Sequence, residues 1–192
     1  MNRPSASTAF TLVEWMIVVA VWGVRTSLAS PWFQPSSLAR LQATAEVVAA
    51  DIAFARSMAV SRSSEYTLTF DLDDNAYVLE HTGSRTALDN LPSSPFHYND
   101  SATERSTQLN DLPGWGAAAQ LAVIYAQPDS GSSTKVTTLE FGPLGATTRS
   151  ESTIVWLKNG SGTSQRYIWI EIDPVTGLES IGEVTDTLPA ST

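Results

Sequence analysis

Glu14 is the residue whose surroundings most demand a chemical explanation. It stands in a run, Phe10 to Val24, that is otherwise apolar or small except for Thr11. An ionised carboxylate at the centre of a membrane helix costs on the order of 2.5–3.5 kcal/mol. A chain that keeps one there has a use for it, and the chemistry open to a carboxylate in an apolar setting is pairing with a cation. The other candidate groups fail on spacing. Asp71, Asp73 and Asn75 begin like a calcium-binding loop, but Ala76 stands where the sharp turn needs glycine and Thr82 where the loop needs a bidentate glutamate. Acidic and Asn residues are also what a hairpin turn uses. Gly160-Ser161-Gly162 lacks the strand-elbow-helix setting of a nucleophilic serine and reads as a flexible turn. His81 and His97 each sit alone in a polar stretch, and there is no cysteine, so no thiolate site, disulfide or cysteine nucleophile exists. Asn99-Asp100-Ser101 and Asn159-Gly160-Ser161 match a glycosylation pattern that is short and common. No phosphate loop or dinucleotide fingerprint is present. The expectation is a non-enzyme with no cofactor and no metal.

Charge narrows the partners. Formal net charge is -9 and the isoelectric point about 4.5. Such a surface repels nucleic acid, so no nucleic-acid partner is expected. The acids are densest near the C-terminus, from Glu171 to Asp186, with no Lys or Arg after Arg166. Arg149, Lys158 and Arg166 are the cations that folding could still gather into a basic patch.

The elements that must position Glu14 follow from hydrophobic pattern. Residues 1–9 are polar and small, with one positive charge at Arg3, which places the N-terminus in the cytoplasm. Residues 10–29 read as a membrane helix of ~30 Å. Arg25 interrupts that span; it either snorkels to the far headgroups or pairs with an acid of a partner. Residues 30–63 read as a continuation of the helix, bent near Pro31 and Pro35. There Leu38, Leu41, Ala45, Val48, Ile52, Ala55 and Ala59 make a narrow stripe at helical spacing. Arg40, Glu46, Asp51, Arg56 and Arg62 are expected on solvated faces. From Tyr66 the period becomes two, with a hairpin turning at Asp73-Asp74-Asn75. Strands follow at Gln120–Gln127, Val136–Phe141, Thr153–Leu157, Tyr167–Ile172 and near Leu178–Val184. Residues 83–116 have no clear period and read as a long surface loop with at most one short element. The polar tail is expected to be loose. The fold class is α+β: a long N-terminal membrane/assembly helix packed on an antiparallel β-sandwich-like head spanning 64–192.

The order of residues around Glu14 also points to a family. Ala9-Phe10-Thr11-Leu12-Val13-Glu14, followed by the apolar helix, resembles the N-terminus of type IV pilins and type II secretion pseudopilins. The resemblance implies cleavage by prepilin peptidase between Ala9 and Phe10, leaving 1–9 as leader peptide, and N-methylation of Phe10. It also implies a role for Glu14 in assembly, through a neighbouring subunit's N-terminal amine, and a helix kink at Pro31. Ala9 stands where that family has glycine, and Trp15 and Trp22 replace smaller aliphatics. Within the family, three stretches resemble the GspH/FimT branch: the helix segment Ala49–Arg62, the Leu139–Thr148 segment LEFGPLGATT, and the Tyr167–Gly177 segment YIWIEIDPVTG. The function so implied is that of a minor pseudopilin in the pseudopilus of a type II protein secretion system. It would be single-pass in the bacterial inner membrane with a periplasmic head. Its partners would be other minor pseudopilins or pilins, the major pseudopilin, prepilin peptidase and a secreted substrate. A FimT-like minor pilin of a type IV pilus is the first alternative. The second comes from Ser27-Leu28-Ala29, a small-x-small site after an apolar run: an exported soluble binding domain cut by signal peptidase before Ser30.

Overall fold

The computed structural model describes residues 12–29, 37–92, 101–112 and 119–188. It divides into two units, residues 1–35 and 36–192. In the first, helix α1 spans Leu12–Ala29, 18 residues, ~27 Å at ~1.5 Å per residue. Among the described residues no helix is long and apolar enough to cross a membrane. Phe10 and Thr11, which the expected span requires, lie outside the described residues, as do the kink positions Pro31 and Pro35.

The second unit is built on helix α2, Ser37–Arg62. Its stripe is buried as the spacing predicts: Leu41, Ala45, Val48, Ile52, Ala55 and Ala59 are at 0–1% exposure, and only Leu38 at the helix start is left out, at 46%. The alanines let a sheet come close to the helix axis. Among the described residues nine strands follow: β1 Tyr66–Asp71, β2 Ala76–His81, β3 Glu104–Gln108, β4 Ala119–Gln127, β5 Thr134–Lys135, β6 Thr138–Phe141, β7 Ser152–Asn159, β8 Arg166–Ile172 and β9 Glu179–Ile181. They form two antiparallel sheets, in the orders β3-β2-β1-β6 and β5-β4-β7-β8-β9. Side chains from both sheets and from α2 share one core.

The β1–β2 hairpin runs from Tyr66 opposite His81 to Asp71 opposite Ala76. The Asp71 carboxylate accepts the backbone N–H of Asp73 and of Asp74, each at 3.0 Å. Asn75 takes φ 53°, a left-handed value that Asn tolerates. Its buried amide then joins the two sheets, donating to the Ala119 carbonyl at 3.1 Å and accepting the Leu121 N–H at 2.8 Å. The aspartates that begin like a calcium loop thus make a turn, and the Asn that would be a ligand is a stitch.

The five-stranded sheet is apolar on both faces. A bulge between Leu121 and Val123 in β4 shifts the alternation. Leu121 and Ile124 therefore join Val155, Leu157, Ile168, Ile170 and Ile172 in the main core. Val123, Tyr125, Ile154 and Trp156 form a second cluster, with Tyr167, Trp169 and Leu188 packed on it.

Two expectations are corrected here. Residues 83–116 are not simply a surface loop. β3 lies within them and pairs with β2, and Leu109 and Leu112 are buried in the core. The strand escaped the pattern because Glu-Arg-Ser-Thr-Gln carries no apolar alternation; ladder hydrogen bonds hold it, and Thr107 alone is buried. Nor is the tail loose up to Leu188. Past β9, Thr185 pairs with Tyr167 in both directions at 2.8 Å, and the Gly182 N–H reaches the Trp169 carbonyl at 2.9 Å.

Candidate assembly helix and the polar anchors of the head

Glu14 lies in the first turn of α1. Around it, Leu12, Val13, Trp15, Met16, Ile17, Val18, Val19, Val21 and Trp22 are 49–77% exposed. An apolar stretch exposed from Leu12 to Trp22 is unlike the face that a helix packed on its own domain presents. Of the other expected site residues, Ala9, Phe10 and Pro31 lie outside the described residues.

On α2 Glu46 is exposed as expected, but Asp51, Arg56 and Arg62 do the opposite of what a solvated face would do. The Asp51 carboxylate pairs with Arg105 at 2.8 Å and accepts the Tyr77 hydroxyl at 2.7 Å and the Thr107 hydroxyl at 3.1 Å. Arg105 also lies over the Phe54 ring, 4.4 Å from its centre. The Asp51 and Arg105 side chains are only 16% and 14% exposed. Burial, with the adjacent Asp51 charge, pushes the Tyr77 hydroxyl well above the usual tyrosine range. This group fixes β2 and β3 to the helix. One turn and a half further on, Arg56 Nε donates to the Thr176 carbonyl at 2.8 Å. A Cβ added at Gly177, where φ is +64°, would collide with the Gly145 carbonyl, and one at Gly145 would lie 2.8 Å from Val60. The turns after β6 and β8 therefore meet each other against α2. Arg62 donates to the carbonyls of Leu88 and Asn90, both at 3.2 Å.

A fourth anchor was invisible in the sequence. His81 bridges Ser64 and Asp89: Nε2 to the Ser64 hydroxyl at 2.7 Å, Nδ1 to the Asp89 carboxylate at 2.7 Å. The order serine, imidazole, carboxylate is that of a hydrolase triad, but access is inverted. The His81 side chain is 0% exposed and the carboxylate 38%, whereas a working triad exposes its serine end and buries its acid. Ser64 is buried, and a Cβ at Gly83 would collide with its hydroxyl. The arrangement is a brace between the end of α2, β2 and residues 86–89.

The three cations that might have made a basic patch are apart. Lys158 and Arg166 flank one end of the β7–β8 pair, and Arg166 is engaged by Asp186 at 3.0 Å. Arg149 precedes the other end of β7, ~20 Å away at ~3.3 Å per residue, and its guanidinium is held by Thr138.

The stretches of α2, of the Leu139–Thr148 segment and of the Tyr167–Gly177 segment thus converge through Arg56, Gly145 and Gly177. A sequence model of a family described as type II transport protein GspH matches residues 44–175. The chain belongs to the GspH family. The GspH match takes in Asp51, Arg56, His81, Arg105 and Gly145, and leaves α1 and Glu14 outside it. No curated protein sequence matches the chain. Among solved structures it is similar to the type IV minor pilin FimU of Pseudomonas aeruginosa in two crystal forms. One is 16% identical with a TM-score of 0.45, covering 74% of this chain and 93% of FimU. The other is 19% identical with a TM-score of 0.41, covering 79% and 93%.

Proposed function

We propose that this chain is a minor pseudopilin that enters the pseudopilus of a type II protein secretion system after prepilin peptidase removes residues 1–9. One observation carries the reading: a GspH-family head is joined in the same chain to an apolar helix, exposed from Leu12 to Trp22, whose first turn holds Glu14. In this reading residues 10–29 store the subunit in the inner membrane with the head outside. Cleavage frees the amine of Phe10, which is then methylated. As helices bundle through their Val, Ile and Ala surfaces, Glu14 takes a neighbouring subunit's N-terminal amine in a medium of low dielectric, where an opposite charge is strongly preferred to none. The chain acts as a structural component rather than a catalyst, and its partners are the other pilin-like subunits. The same parts would serve a minor pilin of a type IV pilus; the description of the matching family, type II transport, favours secretion.

The test is processing. Co-expressed with a prepilin peptidase, the chain should lose residues 1–9 and begin at Phe10 by mass spectrometry. A mature chain beginning at Ser30 would establish signal-peptidase release instead and end the filament reading.

A further inference from the structure

The pair Asn159-Gly160 is fixed in the structure for two unrelated reasons. Asn159 ends β7, between Ala119 of β4 and Arg166 of β8. Its side chain is buried, and its amide nitrogen donates to the carbonyl of Ser37, the first residue of α2, at 2.9 Å. Gly160 takes φ +85°, and a Cβ there would lie 2.7 Å from the Ser164 carbonyl oxygen, so the turn requires glycine. Together they make a chemically labile pair. With no side chain on Gly160, nothing shields its backbone nitrogen from the side-chain carbonyl carbon of Asn159. The native geometry opposes that encounter: Ser37 holds the amide nitrogen, and pairing with β4 and β8 keeps Asn159 extended. The hold at the helix end is itself weak. Ser37, Leu38 and Ala39 are exposed, and helix ends fray. Among the described residues the buried Nε of Arg40 has no hydrogen-bond partner, a defect that opening to water relieves.

We propose that Asn159 is a site of spontaneous deamidation, gated by the first turn of α2, and that the reaction makes release of that turn irreversible. When the turn lifts, the Gly160 backbone nitrogen attacks Cγ of Asn159. A C–N bond forms, the Gly160 N–H proton passes through water to the departing amide, and that group leaves as ammonia. Water then opens the cyclic imide at one carbonyl or the other, giving aspartate or isoaspartate; no oxidant or reductant is involved. The product cannot refasten the helix. A carboxylate only accepts, so it meets the Ser37 carbonyl with no proton between them, and isoaspartate also lengthens the backbone at the end of β7. The chain, at a formal net charge of -9, gains one further negative charge. The inference concerns the head alone and does not depend on the filament reading.

The full chain in detergent is incubated at mildly alkaline pH, beside the same chain unfolded in urea, and isoaspartate at position 159 is followed by peptide mapping. The folded chain should react roughly tenfold more slowly than the unfolded one, or slower still. Leu41→Ala empties a buried apolar position one turn after Ser37. It should raise the folded rate about threefold or more. Asp51→Ala, about four turns along α2 from Ser37, should leave that rate within about twofold of wild type. Asn159→Asp leaves the apolar core intact and carries the test where Leu41→Ala does not fold. Its Leu41 and Gln42 amides should exchange hydrogen about tenfold faster than in wild type, with β1 and β2 unchanged. Equal rates in folded and unfolded wild type, no acceleration by Leu41→Ala in the folded state, equal acceleration by Asp51→Ala, or unchanged exchange in Asn159→Asp would each overturn the proposal.

Discussion

The two helices of this chain treat the same residue types in opposite ways. From Leu12 to Trp22 of α1 the apolar side chains stand exposed, with an acid among them. On α2 the apolar side chains are a narrow buried stripe and several charged ones are tied down, Asp51 to three partners on β2 and β3. The contrast separates two jobs. A helix that finishes its contacts within its own chain is a spine. The exposed apolar stretch of α1 is the part on which the proposed assembly role rests. Glu14 and Asp51 are both carboxylates on helices, and the packing of the head accounts for the second.

Substitutions at these two acids should therefore fail differently. Glu14→Ala should give the largest effect on assembly, at least a tenfold loss of crosslinking to partner subunits, with membrane insertion retained because loss of a charge favours lipid. Its head should unfold at the same denaturant concentration as wild type. Normal incorporation would remove Glu14 from assembly and collapse the contrast. Asp51→Ala should do the reverse. It strands Arg105, the Tyr77 hydroxyl and the Thr107 hydroxyl, and should cost about 3 kcal/mol, read as a lowered urea midpoint of residues 36–192. A change below about 0.5 kcal/mol would return Asp51 to an ordinary surface position.

The smallest effect sharpens the picture of α2. Tyr77 is held in its neutral form by burial first and by Asp51 second. A group whose folded pKa is raised contributes stability that is complete below its unfolded value, ~10 for tyrosine, and is lost as pH climbs through the folded value. Wild type should lose stability above about pH 10 more steeply than Tyr77→Phe. At neutral pH the substitution should cost about 1.5 kcal/mol for the hydrogen bond to a carboxylate. Parallel alkaline limbs in the two proteins would mean that Tyr77 is not sealed by the core.

What the sequence revealed and what it hid divide along the same line. The stripe of α2, the hairpin and the strands in β4 and β6–β9 were legible because burial imposes a period on apolar residues. β3 was hidden because its pairing uses backbone, and its side-chain anchors, Arg105 and Thr107, find Asp51 more than fifty residues away in sequence, at separations of 54 and 56. The partners of His81 lie 17 residues before it and 8 after, in segments with no shared period. The solvated face expected for Arg56 and Arg62 failed for the same reason: a charged residue at a polar position looks alike whether it meets water or a distant carbonyl. Glu14 stands out in the sequence because an acid among apolar residues breaks the local pattern by itself.

The brace around His81 has one more consequence. A carboxylate only accepts, but a hydroxyl can turn either way. With Nδ1–H donating to the Asp89 carboxylate, Nε2 is left as an acceptor, and the Ser64 hydroxyl turns to donate to it. Both ring nitrogens are thereby paired inside the head. The serine is an adapter: it completes a ring that would otherwise leave one buried nitrogen without a partner, and in doing so it fastens the residues just after α2 to β2.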